Sequence, residues 1–279
     1  MNRREALAQA WKILTENKIE DAALEGEIFL KHVLEINRAQ LYAELDSDVS
    51  PNDIKRLLQL VERRVKREPS AYITGKKEFY GLDFIVNQHV LIPRPETELL
   101  VEQAISVCRI YHYSKVADIG TGCGAIAVSL AINLPEVRIY AADISHKALK
   151  VAKKNCVKHG VNDRITLLRG DMLAPLPESV DLIVANLPYV RGDDISGKGP
   201  LSFEPKIALS GGEKGLDKIK WLCREVGEHL NPQGSLLLEI GQGQVEEVKS
   251  ILHKYLSTGL IEIKKDLAGI DRVVWMRLT

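Results

Sequence analysis

From Lys115 to the C-terminal region, short apolar runs alternate with segments of helical periodicity. The apolar runs predict strands at 116–120, 138–143, 164–168, 180–185, 235–241, 260–264 and 272–277. Strands that alternate with helices usually pair in parallel, because each helix carries the chain back to the starting edge of the sheet. The sequence therefore predicts an α/β fold whose sheet is mostly parallel and ends in a hairpin-like pair.

Composition places the chain among ordinary globular proteins and excludes several classes of function. Of its 279 residues, 45% are hydrophobic and 27% are charged, which suits one large or two smaller domains. Lys plus Arg and Asp plus Glu are both 38, so no overall positive charge attracts a long nucleic acid, and direct nucleic-acid binding is not expected. No apolar stretch predicts a signal peptide or a bilayer span, which favours a cytoplasmic protein without membrane contact.

The cysteines give no sign of a metal site. Four of them are scattered through the chain without a Cys-x-x-Cys pair. That spacing argues against a structural zinc site and against a disulfide framework. We therefore expect reduced thiols and no bound metal.

In the N-terminal part, the apolar residues recur with a different period. Apolar residues recur at helical spacing from Arg3 to about Arg67, with Asp21 as a candidate N-cap. Two short apolar runs around Gly81 then predict a β-hairpin. We expect a helical domain at 1–72, a hairpin linker at 73–92 and an α/β domain at 93–279. Within that last domain, Pro95 is predicted to begin a helix and residues 231–234 to form a turn.

A glycine turn follows the first predicted strand of the α/β domain. Asp118-Ile-Gly-Thr-Gly-Cys-Gly124 ends the strand and opens a helix, and Asp143 ends the next strand some twenty residues later. Glycines permit close approach of the backbone to a ligand, and the second acid can accept from two ribose hydroxyls. The G-x-G-x-G spacing resembles S-adenosylmethionine sites more than dinucleotide sites. Because S-adenosylmethionine carries a positively charged sulfonium, the acidic side chain of Asp118 would be tolerated near this cofactor or would favour its binding.

The third predicted strand leads to a further ligand-binding candidate. Asp171 could accept a hydrogen bond from an adenine amine, and Met172 could pack on the ring. The predicted cofactor-binding residues are Asp118, Gly120, Thr121, Gly122, Cys123, Gly124, Asp143, Ile144, Asp171, Met172 and Asn186.

The fourth predicted strand stops in Asn186-Leu187-Pro188-Tyr189. Asn186 offers a side-chain carbonyl, and the fixed φ of Pro188 turns the Leu187 carbonyl toward the same place. Two acceptors then face one amino group, and Tyr189 supplies a flat face for stacking. The alternative is a structural turn with an aromatic cover. A long polar excursion at 190–215 follows, which we interpret as a substrate-facing flap.

Together, these motifs resemble the class I S-adenosylmethionine-dependent methyltransferases that act on amino groups. With segments 92–98, 204–209 and 238–241, the whole chain resembles the peptide chain release factor glutamine methyltransferases. The resemblance implies a Rossmann-like sheet, S-adenosylmethionine as cofactor and a helical N-terminal domain that docks the release factor. It also implies that residues 186–189 hold the glutamine of a Gly-Gly-Gln loop, with Asn186, Pro188 and Tyr189 as catalytic residues. We expect a monomer.

This chain departs from the family at one position, and the departure leaves other methyl acceptors possible. The family usually has proline where this chain has Leu187, and ribosomal RNA adenine dimethyltransferases also carry Asn-Leu-Pro-Tyr. Against an adenine substrate, those enzymes usually place glutamate after the second strand, where this chain has Asp143. They also carry their extra helical domain after the catalytic sheet. The recipient could also be a glutamine of a ribosomal protein, which the sequence does not separate from a release factor. A third alternative is a non-catalytic binding module that keeps the cofactor fold, and the intact glycine turn and the intact segment 186–189 argue against it.

Overall fold

The computed structural model describes residues 1–192, 200–256 and 259–279. Within these residues the chain divides into two compact units, Met1–Lys76 and Lys77–Thr279. Each unit has a buried apolar core of its own. No helix in the described part of the chain is both long enough and apolar enough to cross a bilayer.

The first unit is helical, as the sequence predicted. Its helices are α1 (Arg3–Glu16), α2 (Ala22–Leu34), α3 (Arg38–Ala43), α4 (Pro51–Val65) and α5 (Ser70–Thr74). Helix α4 has a favourable start, because the Ser50 side chain accepts from the Asp53 N–H and Pro51 occupies the first turn. Asp21 does precede α2, but its backbone is left-handed and its side chain makes no capping hydrogen bond. The predicted side-chain cap is therefore wrong.

The predicted hairpin is formed by β1 (Lys76–Phe79) and β2 (Leu82–Ile85), and all of it but Lys76 lies in the second unit. Helix α6 (Thr97–Tyr111) begins two residues after Pro95, whose carbonyl instead accepts the Glu98 N–H. The predicted start at Pro95 is therefore early, since the helix takes Thr97 as its first residue.

Strands and helices then alternate as expected. They are β3 (Lys115–Ile119), α7 (Ala125–Asn133), β4 (Arg138–Asp143), α8 (His146–Lys158), β5 (Ile165–Arg169), β6 (Val180–Ala185), α9 (Asp217–His229), β7 (Leu230–Glu239), α10 (Val245–Tyr255), β8 (Gly259–Lys265) and β9 (Asp271–Leu278). Among the described residues, these strands form a seven-stranded sheet in the order β5-β4-β3-β6-β7-β9-β8. Strands β3 to β7 are parallel, whereas β9 is antiparallel to β7 and β8. The predicted sheet is confirmed.

The strand order places a ligand site. From β3 the chain first adds β4 and β5 on one side and then crosses to β6 and β7 on the other. The two helices that leave β3 and β6 therefore diverge, and a crevice opens at the C-terminal ends of these strands. Both strands are almost wholly buried, which explains their apolar sequences.

The predicted turn at 231–234 is instead an irregularity inside β7. Val180 pairs with Leu230 and Leu182 with Ser235, so the residues between Leu230 and Ser235 bulge out of the ladder. Gln233 has a φ of 62° there. The turn-forming residues bend the strand without ending it.

Candidate active site

An open cleft of about 820 Å³ lies at the C-terminal ends of β3, β4, β5 and β6. Its walls include residues that directly follow each of these strands. They are Gly120 and Gly122 after β3, Asp143 and Ile144 at the end of β4, Asp171 and Met172 after β5, and Asn186, Leu187 and Pro188 after β6. The parallel sheet therefore brings most of the predicted site residues to one place.

The glycine turn is shaped by backbone conformations that other residues rarely adopt. Gly120 and Gly122 have φ of 76° and 57°. The N–H groups of Gly120 and Thr121 both donate to the Ala142 carbonyl, at 2.9 and 3.0 Å, so the turn is tied to β4. The result is a cleft wall made of backbone without side chains.

Asp143 is held rigidly in that wall. Its Oδ2 accepts from the Gly122 N–H at 2.9 Å, and its Oδ1 accepts from the Ser145 N–H at 2.8 Å. Burial raises the pKa of Asp143, and these two amides oppose the rise. Each oxygen of this carboxylate can still accept one more hydrogen bond, from a hydroxyl group in the cleft.

Asp118 and Thr121 lie behind the lining. Asp118 is fully buried, and its Oδ2 accepts from the Thr121 hydroxyl at 2.6 Å and the Ala127 N–H at 3.2 Å. Burial raises the pKa of Asp118 to about 7, and the nearby charge of Asp143 acts in the same direction. These contacts fasten the glycine turn to the start of α7.

Cys123 and Gly124 also lie outside the lining. Cys123 is buried, and its carbonyl accepts from the Asn155 side chain at 2.8 Å. A Cβ on Gly124 would lie 3.3 Å from the Cβ of Ala152, so this glycine lets α7 and α8 pack closely. Of the residues predicted to bind cofactor, these two and the pair Asp118 and Thr121 are the ones that the cleft does not expose.

Asn186 has one defined orientation. Its Nδ2 donates to the Thr97 Oγ1 at 2.9 Å, across 89 residues of sequence. Because the nitrogen and oxygen of an amide point in different directions, fixing Nδ2 also fixes Oδ1. Asn186 therefore presents an acceptor in the cleft that it lines.

Leu187 and Pro188 complete this wall. The Leu187 side chain is buried, and its Cδ2 would lie 3.5 Å from a Cβ on Gly120. It therefore packs over the glycine turn. The Pro188 carbonyl lies against Gly211, where a Cβ would approach its oxygen to 2.6 Å. The leucine that replaces the family's usual proline thus contributes to the core.

Tyr189 points away from the main cleft. Its hydroxyl donates to Glu239 Oε1 at 3.0 Å. Burial raises the pKa of Tyr189, and the adjacent charge of Glu239 raises it further. At the pH of most assays Tyr189 is therefore a neutral hydrogen-bond donor.

A second, smaller cavity adjoins residues Asn186–Tyr189, which we call the tetrapeptide. It is lined by Leu91, Arg94, Asn186, Leu187, Pro188, Tyr189, Val190, Leu201, Ala208 and Leu209. Five residues line both cavities and so lie between the two spaces: Leu91, Asn186, Leu187, Pro188 and Ala208. Two ligands could therefore meet at Asn186.

Part of the predicted flap at 190–215 lies outside the described residues, at 193–199. The described part returns to the tetrapeptide, because the Val190 N–H donates to Leu209 at 3.0 Å and the Gly211 N–H donates to Val190 at 2.9 Å. Pro205, Ile207 and Ala208 line the main cleft. This segment therefore contributes one of its walls.

Three polar residues at the site had no predicted role. Thr97 holds Asn186, Glu239 holds Tyr189, and Glu204 is a buried carboxylate beside the cleft. Glu239 gave the clearest sequence signal, since it is a lone acid inside the apolar run 236–240. Burying such a group requires a partner, but the pattern does not say which one.

The residues of the main cleft fit S-adenosylmethionine. The Asp143 carboxylate can accept from ribose hydroxyls, and the Gly120 and Gly122 backbone leaves room for a ligand. Ile144 and Met172 supply apolar surface for a ring. The described ranges contain no group of three or more His, Cys, Asp or Glu residues that could hold a metal ion.

Comparison with known proteins agrees with this geometry. Residues 5–75 match the family model of the PrmC N-terminal domain, and residues 95–198 match that of the methyltransferase small domain. A release factor glutamine methyltransferase from Geobacter sulfurreducens is 40% identical over 95% of this chain and 93% of its own length. One from Moorella thermoacetica is 40% identical over 98% and 97% of the two chains.

A solved structure shows the same fold at lower identity. The ribosomal protein L11 methylase from Lactobacillus delbrueckii subsp. bulgaricus superposes with a TM-score of 0.52 and 20% identity, covering 70% of this chain and 84% of its own. This likeness supports the methyltransferase sheet alone. The full-length similarity above is more specific, and this chain belongs to the release factor glutamine methyltransferase family.

Proposed function

We propose that this protein transfers a methyl group from S-adenosylmethionine to the side-chain amide nitrogen of the glutamine in the Gly-Gly-Gln motif of peptide chain release factors. The position of Asn186 is the observation that carries the proposal. Asn186 lies between two adjoining cavities, and its amide orientation is set by Thr97. A donor in one cavity and a carboxamide in the other would meet beside it.

The two cavities take different roles in this proposal. S-Adenosylmethionine, when bound, supplies a methyl group on a sulfonium that is open to direct displacement. Gly120, Gly122, Asp143, Ile144 and Met172 hold this cofactor in the main cleft. The smaller cavity receives the glutamine side chain.

The main task of the tetrapeptide is orientation. An amide nitrogen is a poor nucleophile because its lone pair is delocalised into the carbonyl, so correct placement must supply much of the rate. Asn186 Oδ1 and the Leu187 carbonyl accept from the two N–H groups of the glutamine. They hold the nitrogen face toward the donor and stabilise positive charge that develops there. As the nitrogen–methyl bond forms, the sulfur–methyl bond breaks, and the nitrogen then releases one proton.

The helical unit and the location of the protein belong to the same proposal. Residues 5–75 match the PrmC N-terminal domain model, which supports a role for residues 1–72 in docking the release factor. Residues 73–92 then link this domain to the methyltransferase domain at 93–279. Because release factors act in translation, we place the protein in the cytoplasm. A monomeric state remains a prediction.

The proposal is tested by offering the purified protein three recipients with S-[methyl-³H]adenosylmethionine. These are a release factor, ribosomal proteins and ribosomal RNA. We expect label in the release factor, and mass spectrometry should place one methyl on the glutamine of its Gly-Gly-Gln motif. Label in a ribosomal protein glutamine or in RNA adenine, with none in the release factor, would reject the proposed substrate.

A further inference from the structure

We propose that Glu239 is a positioning residue for methyl transfer, because it sets the direction of the hydrogen bonds that orient both Asn186 and Tyr189. The inference rests on the proposed function and deepens it. It assigns a role to a buried carboxylate that lies outside both cavity linings.

The register of the sheet brings Glu239 to the tetrapeptide. Ala185 of β6 pairs with Leu238 of β7, so Asn186 and Glu239 are the next residues on the two strands. Only 1% of Glu239 is exposed. A carboxylate in so dry a place needs hydrogen-bond donors, and the residues around it are arranged to provide them.

One donor is the last residue of the tetrapeptide, and the other is Thr97, which contacts its first residue. The Tyr189 hydroxyl donates to Glu239 Oε1 at 3.0 Å. On the other side, the Thr97 Oγ1 accepts from Asn186 Nδ2 at 2.9 Å, so the Thr97 proton is left for the carboxylate. Burial raises the pKa of Glu239, and the hydroxyls of Thr97 and Tyr189 oppose that rise. Glu239 Oε2 is buried with no hydrogen-bond partner among the described residues, so it keeps acceptor capacity for the Thr97 hydroxyl.

The chemistry of the carboxylate gives this network a direction. In its ionised form Glu239 can only accept, so both hydroxyls then point their protons at it. The Thr97 oxygen can then only accept from the Asn186 side chain, which must offer Nδ2. The Asn186 Oδ1 is thereby left for the substrate amide. A carboxamide at position 239 can donate as well as accept, so it would allow the Thr97 hydroxyl and the Asn186 amide to reverse.

The direct test compares Glu239→Gln with Glu247→Gln, a control on the exposed side of α10. The steady-state rate is measured at saturating S-adenosylmethionine over a range of release factor concentrations. We expect Glu239→Gln to lower kcat about tenfold or more, with KM and cofactor Kd within about threefold of the wild-type values. A kcat equal to that of Glu247→Gln would overturn the proposal.

A second pair of variants covers the case in which Glu239→Gln does not fold. Thr97→Ser keeps the hydroxyl, and Thr97→Val replaces it by a methyl group of similar size. Thr97→Val should lose kcat about tenfold or more, whereas Thr97→Ser should retain most of it. Equal rates for the two variants would contradict a relay through the hydroxyl.

A measurement without any methyl acceptor separates this inference from the proposed substrate. The side-chain amide signals of Asn186 can be assigned in ¹⁵N spectra by their loss in Asn186→Ala. They should move in Glu239→Gln and Thr97→Val and stay in place in Glu247→Gln. Unmoved signals in the first two variants would reject the network even if the release factor is methylated. Moved signals would support it even if another recipient is found.

Discussion

The backbone N–H of Ile92 donates a hydrogen bond of 3.1 Å to Glu204 Oε2, across 112 residues of sequence. The other oxygen of Glu204 forms an ion pair with Arg94. The Glu204 side chain is almost wholly buried. It therefore clasps the segment before α6 to the segment after β6, and both segments contribute walls to the two cavities.

Replacing Glu204 by alanine should loosen this clasp. The change leaves the Ile92 N–H and the Arg94 guanidinium without their acceptor, and an unpaired buried donor costs about 1–3 kcal/mol. We expect a loss of that size in the free energy of unfolding measured in urea, together with weaker cofactor binding. Glu213→Ala, at an exposed position, is the control. Equal stability of the two variants would show that the clasp contributes nothing.

Asn186→Ala should abolish methyl transfer and leave the cofactor Kd within a few-fold of the wild-type value. The reason is that Asn186 is proposed to orient the acceptor, whereas Asp143 and the glycine turn are proposed to make most of the cofactor contacts. Single-turnover transfer and calorimetric titration with S-adenosylmethionine measure the two properties separately. Turnover at the wild-type rate would remove Asn186 from the mechanism.

Asp143→Ala should weaken the binding of S-adenosylmethionine by about tenfold or more, as expected for loss of a charge-assisted hydrogen-bond acceptor. The variant also frees the N–H groups of Gly122 and Ser145, which now donate to this carboxylate. Calorimetry gives the Kd directly. Asp163→Ala, on the exposed turn before β5, provides the matched control, and an unchanged Kd in Asp143→Ala would place the ribose elsewhere.

Alanine substitutions at two glycines with similar backbone conformations distinguish the effect of steric overlap from that of backbone strain. Gly215 and Gly269 have φ of 72° and 78°, but a Cβ would overlap the Tyr189 carbonyl oxygen only at Gly215 and would meet open space at Gly269. Gly269→Ala should lose about 1–2 kcal/mol of unfolding free energy from the left-handed backbone alone. Gly215→Ala should lose about 1–3 kcal/mol more, because the core is already filled.

The activity of Gly215→Ala gives a further readout. Displacement of Tyr189 should lower its kcat below that of Gly269→Ala in the same transfer assay. Equal unfolding free energies and equal rates in the two variants would mean that residue 215 does not support the tetrapeptide.

Asp118 should make stability depend on pH. Burial raises its pKa from 3.8 to about 7, so between these values the native state keeps a proton that the unfolded state releases. The contribution of this retained proton to the free energy of unfolding is fully present below pH 3.8 and is lost as pH rises through about 7. Asp118→Asn removes the titration. We therefore expect the unfolding free energy of the variant, relative to wild type, to increase by at least about 1 kcal/mol between acid and neutral pH.

Urea unfolding at several pH values measures this difference. Asp163→Asn, on the exposed turn before β5, is the control. A constant difference between wild type and Asp118→Asn across the range would show that the buried carboxyl is not protonated in the folded protein.

Much of the sheet and one half of the site were predictable because they depend on local patterns. A buried strand has a recognisable apolar run, and a parallel sheet collects the residues that follow its strands at one edge. Gly120, Asp143 and Asn186 each follow or end such a run, so their convergence could be expected before the structure was known. Their family motifs added the cofactor and the substrate class.

The tertiary structure alone decided which polar residues support the site. Thr97, Glu204 and Glu239 contact partners 89, 112 and 50 residues away, and the sequence around each of them does not identify its partner. Strand order and register place Glu239 level with Asn186, and the same register turns the predicted 231–234 turn into a bulge. Local periodicity encodes helices and strands, but a buried hydrogen bond depends on which elements pack together, and that choice is made by the whole core.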